Sequence, residues 1–140
     1  MGAVFQKPES GFFIGIPFKD GGRDFTSVDC WGLAVLYYRY ALGITLPDYR
    51  IGCAFASMIA EKIAEEEKSG AWRELEHPEP DCIVLMALDA SQPRIRQHIG
   101  VYVNQGQILH TTASMGASYL IRLDQPLIQC RTRGYFEYIG

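Results

Sequence analysis

HIGVYVNQGQILHTT, residues 98–112, decides how this chain is read. Ile99, Val101, Val103 and Leu109 are apolar, and Asn104-Gln105-Gly106 interrupts them. Alternation with a period of two, broken by a glycine-containing turn, is the signature of a β-hairpin. A three-residue loop places its glycine last, in the left-handed conformation. Val103 then faces Gln107, and the following pairs step outward from there. His110 falls opposite Gly100 and His98 opposite Thr112. The two histidines become diagonal neighbours on one face, about 5–8 Å apart. A two-residue turn would shift the register by one and put them on opposite faces. The first register leaves Ile99, Val101, Val103 and Leu109 as a continuous core stripe, and it is the one expected.

Outward from this hairpin, residues 82–88, 119–123 and 135–139 also read as strands, with 98–103 and 107–112 forming the hairpin itself. The chain before residue 70 reads differently. Leu33, Leu36, Tyr37 and Tyr40 recur at i, i+3, i+4 and i+7, which predicts a helix over 30–42 with one apolar face, ended by Gly43. Phe55, Met58, Ile59 and Ile63 predict a second helix over 55–68, stopped by Gly70. Glu76-His77-Pro78-Glu79-Pro80 cannot be helical. Two helices followed by about five strands indicate an α+β domain with an antiparallel sheet.

Composition bounds the function. The chain has 140 residues, 48% of them hydrophobic, which suits one globular domain over residues 1–140. A net charge of −3 excludes a broad basic footprint, so no nucleic-acid partner is expected. The longest apolar stretches, 31–38 and 82–88, fall short of the ~20 residues that a membrane helix needs. The start, MGAVFQKPES, shows no secretory pattern, so synthesis in a cytoplasm is expected. Cys30, Cys53, Cys82 and Cys130 share no Cys-x-x-Cys spacing and read as free thiols.

Few residues are equipped for chemistry. His77 lies in a polar loop and reads as a surface residue. His98 and His110 belong to the hairpin. Cys30 follows Asp29 and a glycine-rich turn, and it begins the first helix. A helix N-terminus stabilises a thiolate through its positive dipole end, and its N–H groups suit an oxyanion. A histidine within reach can deprotonate such a thiol, and a third group can orient that histidine. The plain alternative is a small buried residue at a helix start. Cys82 opens an apolar strand and reads as core.

Gly15-Ile16-Pro17-Phe18, Gly21-Gly22, Asp29-Cys30-Trp31-Gly32-Leu33, His98-Ile99-Gly100-Val101-Tyr102 and Ile108-Leu109-His110 together resemble the NlpC/p60 family. These are papain-like cysteine peptidases that cut bacterial cell-wall peptides. Within it, the similarity is closer to a bacteriophage and prophage tail branch, which includes gene transfer agents. There Gly-x-Pro-Phe-x-x-Gly-Gly-Arg-Asp leads into Asp-Cys-Trp-Gly, and Leu-Pro-Asp-Tyr follows, as Leu46-Pro47-Asp48-Tyr49 does here.

The resemblance implies a nucleophile at the N-terminus of a helix packed on a small antiparallel sheet. Cys30 would be the nucleophile, His98 the general base and then acid, and His110 the orienting residue. The substrate would be the γ-D-glutamyl–diamino acid amide of a peptidoglycan stem peptide, with no metal or cofactor. Tail-tip and baseplate proteins would be the partners, with no membrane contact, and a phage-like particle the location. Phe18, Asp29 and Trp31 would fall in the substrate and oxyanion region. Many relatives carry Tyr at Phe18, where the hydroxyl helps the oxyanion site. Many carry Ser at Trp31, in the pocket that reads a free amine, so weaker selection for a free N-terminal L-Ala is expected. Three rivals stand beside this: a tail structural protein with an unused hydrolase site, a zinc site built from Cys30, His98 and His110, and an amidase or acyl transferase.

Overall fold

The computed structural model describes residues 10–52 and 56–140. Phe55 and Cys53, together with the first nine residues, lie outside the described part. A 3-10 turn (Ser10–Phe13) leads to a short hairpin of β1 (Arg23–Asp24) and β2 (Ser27–Val28). Then come α1 (Cys30–Tyr37), a π-helical extension of it (Tyr38–Leu42) and α2 (Ala56–Lys68). The rest is β3 (Trp72–Leu75), β4 (Ile83–Met86), β5 (His98–Asn104), β6 (Gln107–His110), β7 (Tyr119–Arg122), α3 (Pro126–Arg131) and β8 (Thr132–Tyr138). Six strands form one sheet in the order β3-β8-β4-β5-β6-β7, with every pairing antiparallel. The α+β class with helices packed on an antiparallel sheet is therefore as expected. No helix among the described residues is long and apolar enough to cross a membrane.

β4 explains the apolar run at 82–88. Ile83 and Leu85 point into the main core, Val84 and Met86 into a smaller cluster on the other face with Cys82, Ile108 and Ile128. A strand covered on both faces loses the apolar-polar alternation that a half-exposed strand keeps.

The helices correct two expectations. Every residue of α1 is buried, so it is a central helix and not a one-faced one. Beyond Tyr37 the helix widens to i→i+5 bonding, which rotates the following side chains. Tyr38 and Ala41 are buried in consequence, and Tyr40, expected on the apolar stripe, is 46% exposed. On α2 the buried face is Ala56, Ile59, Ala60 and Ile63, again at i, i+3, i+4 and i+7. Met58 lies off that face and is half-exposed.

The hairpin confirms the expected face and corrects its turn. Val101 pairs with Leu109 and Tyr102 with Ile108, as the three-residue loop requires. At the tip, however, Asn104 pairs with Gln107, so the loop is the two residues Gln105-Gly106. Both have positive φ, 51° and 76°, the backbone of a type I′ turn. The register then shifts between Tyr102 and Asn104 through a bulge. The bulged residue restores the side-chain parity that a two-residue turn alone would have reversed.

Candidate active site

Asp29 is the N-cap of α1, with extended backbone, and its Oδ1 accepts a hydrogen bond from Gly32 N–H at 2.7 Å. The same carboxylate accepts from Gly21 N–H at 2.8 Å and from Arg23 Nη1 at 2.7 Å. Gly22 and Gly32 explain why both motifs need glycine. A Cβ on Gly32 would stand 1.9 Å from the Gly22 carbonyl oxygen, and one on Gly22 would meet the Ser27–Val28 backbone at 2.6–2.7 Å. Backbone thus packs on backbone where the hairpin meets the helix start. Cys30, the first residue of α1, is held there and is 3% exposed.

α1 packs against β1 and β2 on one side and against β5 and β6 on another. The latter strands carry the histidines. His98 Nε2 and His110 Nδ1 lie 2.8 Å apart, with the rings nearly perpendicular. The two histidines do share a face. Both are buried. Burial, followed by the neighbouring imidazole, pushes the His98 pKa down to about 3, and burial pushes His110 down to about 4. The pair is neutral at physiological pH, which is the state a general base must start from.

The hydrogen bond fixes more than proximity. With Nε2 of His98 turned to His110, Nδ1 is the nitrogen left to serve as a base. A basic Nδ1 requires the proton on Nε2, which donates to His110 Nδ1. His110 then carries its own proton on Nε2, a buried atom with no partner among the described residues. When His98 becomes imidazolium, the same Nε2–H bond strengthens. His110 Nδ1 is thus placed to fix the ring of His98. The facing nitrogens are spent on each other and are not aimed at a common metal. Among the described residues no group of three or more His, Cys, Asp or Glu is arranged to hold one.

The other expected site residues separate. Phe18 is half-buried, bridges to Val28 and donates its N–H to Gly116, which keeps it two positions from the Asp29-Cys30 step. Asp29 is wholly buried and acts as a cap, with no surface to offer a substrate. Trp31 corrects the expectation that it lines the pocket. It is 0% exposed, donates Nε1–H to the Pro47 carbonyl at 3.0 Å, stacks on Tyr49 and lies against Trp72. Residue i+1 of a helix points about 100° away from residue i, and here that direction is the core.

Three residues support this arrangement; Arg23 stands in the quoted motif, and Ser118 and Tyr119 escaped the sequence reading. Arg23 joins Asp29 to Asp48. Ser118, buried, accepts from Ile16 N–H at 2.9 Å and donates to Phe13 O at 2.6 Å, tying the N-terminal segment beside β7. Tyr119 pairs with His110 across the strands, with ring centroids 4.3 Å apart. The signals were a serine in an apolar stretch and the hairpin register carried one strand further.

Known proteins share this fold. The sequence profile of the NlpC/P60 family matches residues 15–134. No curated protein sequence matches significantly. An NlpC/P60 family protein from Bacillus cereus superposes with a TM-score of 0.65 at 20% identity, over 96% of this chain and 42% of that one. The NlpC/p60 domain of the peptidoglycan hydrolase SagA gives 0.59 at 14% identity, over 91% of each chain. The peptidoglycan hydrolase RipB of Mycobacterium tuberculosis gives 0.57 at 17%, over 92% of this chain and 60% of that one. This chain thus spans less than half of the Bacillus protein, and at these identities the likeness is one of fold. The family profile covers most of the sequence, and the chain belongs to the NlpC/P60 family of cysteine peptidases and peptidoglycan hydrolases.

Proposed function

We propose that this chain, as one peptidase domain, hydrolyses the γ-D-glutamyl–diamino acid amide of peptidoglycan stem peptides. Cys30 is the nucleophile, His98 its general base and His110 the orienting residue. His98 takes the thiol proton at Nδ1, and the Cys30 thiolate attacks the carbonyl carbon. The C–N bond then breaks, and the proton passes from His98 to the leaving amine. The resulting thioester is hydrolysed when His98 removes a proton from water and returns it to the departing thiolate. No metal or cofactor enters these steps. One observation carries the reading. A buried, neutral, hydrogen-bonded His98–His110 pair lies on the strands beneath the helix that begins with Cys30. Digestion of purified sacculi tests it. The masses of the released fragments should report cleavage after γ-D-glutamate, and cleavage elsewhere in the stem would refute that bond.

We further propose that a phage-like tail tip carries the domain to the wall. The support is sequence resemblance: residues 15–24, Asp29-Cys30-Trp31-Gly32 and Leu46-Pro47-Asp48-Tyr49 follow the tail-branch pattern. Mass spectrometry of purified particles should find the chain, and activity confined to cell extract would contradict this location.

A further inference from the structure

Three residues of the quoted motifs, Gly22, Asp29 and Asp48, meet at one side chain, that of Arg23. Arg23 donates from Nη1 to Asp29 Oδ1 at 2.7 Å and to the Gly22 carbonyl at 2.9 Å. Its Nε donates to Asp48 Oδ1 at 2.8 Å, and its Nη2 to the Ile51 carbonyl at 2.8 Å. Asp29 is fully buried, whereas Asp48 is half-exposed. The guanidinium is thus shared between a buried carboxylate and a solvated one.

The position of Asp29 creates a conflict that this arrangement resolves. Its carboxylate caps α1 through Gly32 N–H and stands one residue before Cys30. A helix N-terminus lowers the pKa of a thiol placed on it. A buried carboxylate at the same end acts the other way, because a like charge nearby disfavours the thiolate. The cap that organises the helix therefore opposes the ionisation that the nucleophile needs, unless its charge is cancelled. Arginine remains protonated at any working pH and bonds carboxylates in a fixed geometry.

The other charged and titratable groups around this helix end can be named. Asp48 is bound by Arg23, Asp20 lies against Gly52, and Asp24 of β1 accepts from the Thr26 and Ser27 N–H groups. β5 and β6 contribute His98 and His110, both held neutral. The packed face of α2 contributes Ala56, Ile59, Ala60 and Ile63, none of which titrates.

We propose that Arg23 is a positioning residue for the nucleophile: it neutralises the buried Asp29 carboxylate at the cap, so that the helix end eases ionisation of the Cys30 thiol. The proposal rests on the reading of Cys30 as nucleophile. Its test needs no substrate. Iodoacetamide alkylation of the Cys30 peptide is followed by mass spectrometry across pH for wild type, Arg23→Gln, Arg23→Lys and Arg23→Gln with Asp29→Asn. Wild type should titrate below the ordinary thiol value near 8.5. Arg23→Gln should move the midpoint up by about one pH unit or more, slowing labelling roughly tenfold below both midpoints. Arg23→Lys, which keeps the charge, should stay near wild type, and removing the Asp29 charge as well should bring the midpoint back down.

Equal midpoints in wild type and Arg23→Gln would overturn the proposal, as would a double variant no lower than Arg23→Gln. Should Arg23→Gln fail to fold, Asp48→Asn decides. It leaves the Arg23 charge to Asp29 alone, so the midpoint must not rise; a rise would mean that Arg23 acts only as a mechanical clamp. A wild-type midpoint near 8.5 would fail the nucleophile reading itself, and the Arg23 proposal with it.

Discussion

Acid should weaken this protein well above the range where its carboxylates titrate. His98 and His110 are held neutral in the folded chain, near 3 and 4, mainly by burial. In the unfolded chain each takes a proton near pH 6.5. Between those values the unfolded state binds more protons, so stability rises with pH and is lost as pH falls below about 6.5. At pH 5.5 each imidazole costs about 1 kcal/mol relative to neutral pH, and the pair roughly 2–3 kcal/mol. For a chain of 140 residues that corresponds to a fall in Tm of about 7–10 °C. Asp89 and Asp124 are held below the usual carboxylate value by the hydrogen bonds of Ser91 and Arg122. Their contribution is present above about pH 4 and lost only below it, outside this window. The assay is Tm by circular dichroism between pH 7.5 and 5, for wild type and His110→Gln. The variant should lose about half of the pH dependence. A flat wild-type curve would mean that the folded chain already carries an imidazolium. An unchanged slope in the variant would mean that the dependence arises elsewhere. Either result refutes the burial argument.

Trp31→Ser should act on stability and not on substrate choice, costing about 3–5 kcal/mol in urea denaturation, because it empties a core position and strands the Pro47 carbonyl. Gly32→Ala should cost about 3 kcal/mol or more in the same assay, since the Gly22 carbonyl oxygen standing 1.9 Å from the new Cβ is backbone and cannot rotate away. His98→Ala should abolish turnover, whereas His110→Ala should retain a measurable remainder, because orienting a base contributes less than being one. Equal loss in both would assign His110 a direct part in proton transfer.

What the sequence made legible is what short-range physics controls. The start of α1 was marked by Asp29 and the glycines around it, and the shared face of His98 and His110 by the apolar stripe opposite. The turn was misjudged because Gln105-Gly106 with a bulge and a three-residue loop give the same parity from Tyr102 inward. β3 was missed because only four residues form it and two of these, Arg73 and Glu74, are exposed charges. Its place is set by pairing with β8, including the Arg73–Glu137 ion pair, a contact between distant parts of the chain. α3 has six residues, too few for a hydrophobic period to show. Trp31 was misplaced for a different reason. Adjacency to a nucleophile in sequence does not mean facing the same space when the two sit on a helix.

If Cys30 performs hydrolysis with His98, replacing its thiol must stop the release of wall fragments. Purified sacculi are incubated with wild type and with Cys30→Ser, and soluble peptide fragments are quantified by mass spectrometry over time. Wild type should release fragments and Cys30→Ser none, because the serine hydroxyl remains protonated beside so weak a base. Equal release by both proteins would contradict it.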